Sequence, residues 1–382
     1  MTTEGSGRVL FVSPGPSIAS PESGEGARLH HLSRHLADEW EVFTLVPDGV
    51  ADETPAWVRQ QYTYSQWSIP FLTDLNPSFL RGVRHAIADA SIDVVHVSTG
   101  VCATRLATAL NGNVTVVYAA QNVEADHARD FVDPDLPAYK RLGGPRLIPL
   151  VERASVACAD GLTTVSEADR EQFVELYGVD PNRVCAVPTG TEPIGESSLE
   201  DAEKIRNRYG LVGGPLAVFH GYYEHPPNRE AAEVIDEEIA PALRERGVDV
   251  EFLLVGKGAP AVSSPNVHTT GFVEDLYSVL GAADLAVVPI LHGGGTKTKV
   301  YDYISLGLPV VATEKALEGI DLEDRRHALV TTDVDEAFVE NIETVASNEG
   351  LSSEIAANLR DFAEEWSWDR SAARLNAFYR GL

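Results

Sequence analysis

The stretch Leu285-Ala286-Val287-Val288-Pro289-Ile290, then Gly293-Gly294-Gly295-Thr296-Lys297-Thr298-Lys299, then Val300-Tyr301-Asp302-Tyr303-Ile304-Ser305-Leu306, decides the fold. The opening apolar run reads as a strand buried on both faces, the kind that parallel sheets contain. The glycine run then turns the chain into a segment of helical pattern. Glycines let backbone N–H groups approach a ligand closely, a helix start favours anions, and two lysines add positive charge. Together these features suit a diphosphate. The run is not a Walker A loop, because no Gly-Lys-Ser/Thr follows at the required spacing, and it is not a GxGxxG fingerprint. The plainer alternative is an ordinary strand-to-helix turn with solvated lysines.

Outward from this stretch the same grammar repeats. In the first half, strands are expected at Val9–Val12, Glu41–Val46, Val94–Val97, Val114–Ala119, Gly161–Val165 and Val184–Pro188, with a helix from about Arg28 to Ala37. In the second half, strands are expected at Leu216–Phe219, Val250–Val255, Val267–Thr269, Leu285–Val288 and Val310–Ala312. Between them lie helical patterns at Asn228–Arg246, Val273–Ala282 and Lys299–Leu306, and a last amphipathic helix runs from Ser367 to Gly381. Strand and helix in alternation are the pattern of parallel α/β sheets. The chain turns polar near Glu192–Ser198, which sets the expected domains at 1–193 and 194–364, with 365–382 crossing back to the first. Two doubly wound sheets in succession should bind ligands at their strand C-termini.

At 382 residues the chain is too long for one typical core. Its net charge of −28 argues against any general affinity for nucleic acid. Among the basic residues there are 24 arginines and only six lysines, an acidic, lysine-poor surface that resembles proteins of salt-accumulating halophiles. Lysines gathered beside a glycine turn stand out against that background. No apolar stretch approaches the length of a membrane span, and the opening MTTEGSG lacks a secretory signal's apolar core. Cys102, Cys158 and Cys185 are widely spaced in apolar surroundings, so buried free thiols are expected, with no disulfide framework and no zinc site. A cytoplasmic location follows, with peripheral attachment to the inner face of a membrane left open.

Several short motifs, in order, resemble a known family. They are Ser23-Gly24-Glu25-Gly26-Ala27-Arg28, Gln121-Asn122-Val123-Glu124, Glu152-Arg153-Ala154, Ala159 to Glu167, and Val187 to Glu192. The second half adds Phe219-His220-Gly221, Pro227-Asn228, Leu254-Val255-Gly256, Gly271-Phe272-Val273, the glycine-lysine run, Gly307 to Thr313, and Glu318-Gly319. Together they resemble GT-B glycosyltransferases of the family 4 type, in a glycine-glycine-glycine-threonine-lysine subgroup. That resemblance implies two Rossmann-like doubly wound domains facing across a cleft. It also implies transfer of a sugar from a nucleoside-diphosphate donor to an acceptor hydroxyl on a glycan, a lipid-linked molecule or a small molecule, with retention of configuration. Donor binding would fall to Gly221, Asn228, Arg229, Gly256, Gly293, Gly294, Gly295, Thr296, Lys297 and Asp302. Gln121, Asn122 and Glu124 would serve the acceptor, and Lys297, Gly24, Gly26 and Glu124 the chemistry.

The departures from the family pattern are specific. Two glutamates eight positions apart are usual; here Gly294 holds the first place and Asp302 the second, where a carboxylate would accept the ribose hydroxyls. Gln121 stands where many relatives have histidine, and glutamine cannot shuttle a proton. The usual basic phosphate clamp is replaced by His220-Gly221-Tyr222-Tyr223-Glu224-His225-Pro226-Pro227-Asn228-Arg229, leaving Lys297 and Arg229 to neutralise the diphosphate. Lys299 is expected on another face of the helix. His96 reads as a satisfied strand histidine, His292 as part of the turn, and Trp57, Tyr62, Tyr64, Trp67 and Phe71 as packing around a loop or small helix.

Charge developing on the leaving phosphate would be met by the amides of Gly294, Gly295 and Thr296, by Lys297, and by the Gly24–Gly26 loop. No metal site with recognisable ligand spacing stands out, so no metal or other cofactor is expected. Two other readings fit the same architecture: a sugar-nucleotide epimerase, and a catalytically silent sugar-nucleotide-binding partner of a second transferase.

Overall fold

The computed structural model of the chain describes residues 7–12, 24–49, 54–67, 70–109, 114–127, 138–192, 194, 202–211, 213–293 and 296–382. Side chains are described for all of these except residues 24, 70–72, 126–127 and 138–146. The chain divides into two compact units, Met1–Gly190 with Trp368–Leu382, and Thr191–Ser367.

The first unit is built on β1 (Gly7–Val12), α1 (Gly24–Leu36), β2 (Trp40–Pro47), β3 (Val58–Tyr64), α2 (Pro77–Ala90), β4 (Val94–Val97), α3 (Val101–Thr108) and β5 (Thr115–Ala119). It continues through α4 (Glu124–His127), α5 (Ala138–Cys158), β6 (Gly161–Thr164), α6 (Glu167–Tyr177) and β7 (Val184–Ala186). Its seven strands lie in the order β3-β2-β1-β4-β5-β6-β7, and every pairing is parallel. Val9, Leu10, Phe11 and Val12 of β1 are all buried, as a central strand covered on both faces requires. The chain moves outward through β1, β2 and β3, then jumps back beside β1 to start β4. That reversal leaves a crevice outside the carboxyl ends of β1 and β4.

The second unit has the same logic. It contains α7 (Ala202–Tyr209), β8 (Leu216–His220), α8 (Pro226–Val234), α9 (Ala240–Glu245), β9 (Glu251–Val255), β10 (Val267–Gly271), α10 (Leu276–Gly281) and β11 (Leu285–Val288). There follow α11 (Thr298–Leu306), β12 (Val310–Thr313), β13 (Ala328–Thr331), α12 (Glu336–Ser347) and α13 (Glu349–Glu365). Six parallel strands run β10-β9-β8-β11-β12-β13. The reversal here falls between β8 and β11. The helix expected over Asn228–Arg246 is interrupted by a π-helical turn, Ile235–Ile239, just ahead of Pro241. A proline that cannot donate to the preceding turn accounts for the local widening.

The last helix, α14 (Trp368–Gly381), belongs to the first unit. Tyr379 hydrogen-bonds His96 of β4 at 2.7 Å, and Trp40 donates to Asn376 at 2.9 Å. His96 is therefore the buried, satisfied strand histidine its sequence setting implied. Burial, with the Arg28 charge adding to it, lowers its pKa to about 3. At the other end of the second unit, Thr191 and Ser367 form a parallel bridge, and the Thr191 N–H donates to the Trp366 carbonyl at 2.8 Å.

Three sequence expectations are corrected here. Helix α1 starts at Gly24, so Gly24 and Gly26 stand in its first turn and not in a loop; Glu25 beside them suits the helix N-terminus. Tyr62 and Tyr64 belong to an edge strand, β3, with both rings buried. Cys102 and Cys158 are joined in a disulfide with Cα atoms 5.3 Å apart, because α3 and α5 pack together although 56 residues separate the two cysteines. Only Cys185 is a free thiol, and it is half-buried. Among the described residues, no helix is long and apolar enough to cross a membrane.

Candidate functional site

In the second unit, the loops after β8 and β11 meet the first turn of α11, and the chemistry-bearing side chains gather there. The His220 N–H, at the end of β8, donates to the Tyr303 hydroxyl at 3.1 Å. That hydroxyl lies 2.9 Å from His220 Nδ1 and can donate its single proton there. The ring proton then sits on Nε2, which faces Asp302 Oδ2 at 3.1 Å. Tyr277, from α10, donates to Asp302 Oδ1 at 2.9 Å. Burial, followed by the Asp302 charge, pushes the Tyr277 phenol well above its usual range, so it stays a donor. Asp302 is thus gripped on both oxygens, with further lone pairs able to accept hydroxyl groups, and 26% of its side chain remains exposed.

One turn earlier on the same helix, Lys299 is buried. Its Nζ donates to Asn228 Oδ1 at 2.6 Å and lies 3.9 Å from the centre of the Phe219 ring. Asn228 is itself held by donating to the Tyr222 carbonyl at 2.9 Å. Lys297 precedes α11 as its N-cap residue and donates to the Gly293 carbonyl at 3.2 Å. Burial lowers its pKa to about 8, with Glu318 opposing and Lys315 assisting. Lys297 thus braces the turn it belongs to, and Lys299 reaches the β8 loop.

The glycines have separate reasons to be there. Gly293 has φ +90, and a methyl on it would meet Pro227 at 3.0 Å. Gly256 has φ +131, and its methyl would sit 2.0 Å from the Gly221 carbonyl oxygen, so it allows the loops after β8 and β9 to touch. Thr296 is half-buried just before α11. Arg229 has its guanidinium 3.5 Å from the Gly258 carbonyl, in the loop after β9. Gly294 and Gly295 lie outside the described residues.

In the first unit, acids line the reversal between β1 and β4. Glu25 accepts from the Ser98 hydroxyl at 2.8 Å. Burial raises its pKa, the Ser98 bond opposes this, and the Glu124 charge adds to it. Glu152 of α5 accepts the N–H groups of Glu124 at 2.8 Å and Ala125 at 3.0 Å, and also the Tyr177 hydroxyl. It thereby fixes the turn that carries Gln121, Asn122 and Glu124. Gln121 and Asn122 are half-buried in that turn.

The structure therefore brings together Gly221, Asn228, Gly256, Gly293 and Asp302. Arg229 meets the loop after β9 at Gly258. Sequence reasoning missed His220 and Tyr277 as the residues holding Asp302, and Glu25 with Ser98. It also set Lys299 aside, although positions 299, 302 and 303 share one face at helical spacing. The sequence was expected to hold no Asp-x-Asp motif, but it contains two such triplets. Asp133-Pro134-Asp135 lies outside the described residues, and in Asp333-Val334-Asp335 the last aspartate caps α12 by accepting from Ala337 and Phe338.

Residues 23–193 match the domain model described as Glycosyltransferase Family 4, and residues 214–348 match Glycosyl transferases group 1. A D-inositol 3-phosphate glycosyltransferase of Actinosynnema mirum is 26% identical over 290 residues, which is 70% of this chain and 66% of that protein. The match thus spans just under two thirds of this curated relative. Sucrose-phosphate synthase from Thermosynechococcus elongatus superposes with a TM-score of 0.73 at 16% identity, covering 98% of each chain. Anabaena HepE, solved in complex with UDP-glucose, superposes with a TM-score of 0.67 at 15% identity, covering 98% of this chain and all of its own. Both parallel-sheet units thus follow the GT-B architecture, and glycosyltransferase domain models match in each.

Proposed function

We propose that the protein is a glycosyltransferase that moves a sugar from a nucleoside-diphosphate donor to an acceptor hydroxyl. The observation that carries this is the β8–β11 reversal, where a glycine turn, the start of α11, a buried lysine and an oriented aspartate converge. In this reading the diphosphate lies against the first turn of α11, whose free N–H groups favour anions. Asp302, steadied by His220 and Tyr277, accepts the ribose hydroxyls. Gly24 and Gly26 in the first turn of α1, with Gln121, Asn122 and Glu124, serve the reaction from the acceptor side.

The reaction breaks the bond between the anomeric carbon and the β-phosphate oxygen and forms a new one to the acceptor oxygen. The acceptor proton passes to the departing phosphate, and the nucleoside diphosphate leaves. Attack from the same face as the leaving group retains configuration and requires no protein nucleophile. Protein cations and helix amides supply the charge stabilisation that a metal ion supplies elsewhere. The curated relative's name makes D-inositol 3-phosphate a rational first acceptor to test, beside simple glycosides.

The test is a panel of nucleotide sugars, ranked by thermal stabilisation of the protein and then incubated with and without acceptors. Release of nucleoside diphosphate together with a new glycoside is the expected result. Conversion of the donor sugar into an epimer with no acceptor present would replace this reading, and binding without any turnover would point to a silent partner.

A further inference from the structure

The β8 loop poses an electrostatic problem. It contains no lysine or arginine, and Arg229, on α8 just after it, has its guanidinium near the Gly258 carbonyl. A diphosphate bound there would need its positive charge from somewhere else. Lys299 is 8% exposed, and among the described residues no carboxylate lies within the 4.0 Å of an ion pair. An ammonium has three N–H donors, and the acceptor recorded for this one is Asn228. Below it is the face of Phe219. A buried charge in such a setting is costly unless an anion joins it.

We propose that Lys299, and not Lys297, is the cation that receives the donor's diphosphate, with Asn228 as the positioning residue that holds it ready. This rests on the reading of the second unit as a nucleotide-sugar site. A methyl group at Gly221 would lie 3.1 Å from Lys299 Nζ and 2.8 Å from Asn228 Nδ2, so the glycine keeps the space directly beside the ammonium clear. Asp302 stands one turn further along α11, which separates a phosphate end from a ribose end on one helix face. Lys299 thus delivers from α11 the charge that the β8 loop lacks. Lys297, in contrast, is engaged with the Gly293 carbonyl and has Glu318 and Lys315 as charged neighbours.

The electrostatics agree with this geometry. Burial, followed by the Lys297 charge, holds the Lys299 ammonium well below the usual lysine range, with Asp302 opposing. His225, at the start of α8, is lowered by burial and by both lysines. A bound diphosphate offsets the penalty on the Lys299 ammonium and strengthens its charge.

The experiment measures calorimetric affinities of UDP, GDP and ADP, and of the nucleoside matching the tightest of them. For Lys299→Gln we expect at least about a 30-fold loss of nucleoside-diphosphate affinity and less than a 3-fold loss for the nucleoside, the scale of a charge-assisted contact. Lys299→Arg should recover part of that loss, and Asn228→Ala should show a smaller loss of the same kind. Lys297→Gln should stay within about 5-fold of wild type for both ligands. Retained nucleoside binding shows that the site is folded; if Lys299→Gln does not fold, Lys299→Met keeps the stem against Phe219 and is read the same way. A Lys299 variant that binds the diphosphate like wild type, or an equal loss in Lys297→Gln, overturns the assignment. If the wild-type protein binds none of the three diphosphates, the nucleotide-sugar reading itself fails.

Discussion

Replacing Gly256 by alanine should be among the most damaging single-methyl changes in the second unit. The new Cβ would lie 2.0 Å from the Gly221 carbonyl oxygen and 3.0 Å from its carbon, both backbone atoms that no rotamer change can move. At φ +131 the backbone is also in a region that side chains other than hydrogen rarely adopt. Strain of that kind costs about 1–3 kcal/mol, and forced displacement of packed structure about as much again. The total is about 2–6 kcal/mol. For a unit of this size, a loss of 1 kcal/mol lowers the melting temperature by roughly 2–4 °C, so a fall of roughly 4–24 °C is expected. Gly258→Ala is the control: φ is +77 there, but the nearest atom, Glu224 Cγ, is at an ordinary 3.4 Å. It should cost only the left-handed penalty, about 1–2 kcal/mol. Scanning calorimetry of both variants, with hydrogen exchange on β8 and β9 to identify the affected unit, makes the comparison. Equal stability of the two variants would show that the β8 and β9 loops do not need to touch.

Two further outcomes concern the first unit. His96 is held at about pKa 3 against 6.5 when unfolded, so the unfolded chain binds a proton that the folded chain refuses. Stability should fall as pH drops from about 6.5 towards 3, by about 2 kcal/mol at pH 5, and urea unfolding of His96→Asn should lack that component; parallel pH profiles would disprove it. Reducing the Cys102–Cys158 disulfide, or replacing Cys102 by serine, should lower the stability of the first unit by about 2–4 kcal/mol, given the 56-residue separation. Unchanged melting under reductant would mean that α3 and α5 are held by packing alone.

The alternation of buried strands and helices was visible in the chain because fully buried strands are short, continuous apolar runs. Leu216–Phe219 and Leu285–Val288 show this directly. Strand β3 escaped notice because it lies at a sheet edge, where Arg59, Gln60 and Thr63 face outwards among its apolar residues. Helix α5 was hidden by Gly143, Gly144, Pro145 and Pro149, which the sequence presents as a break. The disulfide depends on how α3 and α5 pack, which no local pattern encodes. The glycine turn and Asp302 were legible because each lies within one strand-turn-helix unit. The partners of Asp302 were not, since His220 and Tyr277 come from β8 and α10 and converge only after folding. The two lysines were weighed by their distance from the glycines, whereas the turn of the helix decides which of them faces the β8 loop.

The bridge between Thr191 and Ser367 gives the chain a modular seam. The first and last residues of the second unit are hydrogen-bonded neighbours, and Pro188 and Ser371, just outside them, are joined by a 2.9 Å hydrogen bond within the first unit. Residues 191–367 therefore form an insert whose two cut ends coincide. A splice of a few flexible residues between Gly190 and Trp368 should close the first unit over the excised segment, α14 included. The insert's own termini are near enough to be fused and reopened at a surface loop. The second unit could then be exchanged between relatives as a cassette, with the exchange made at one pair of bridged residues.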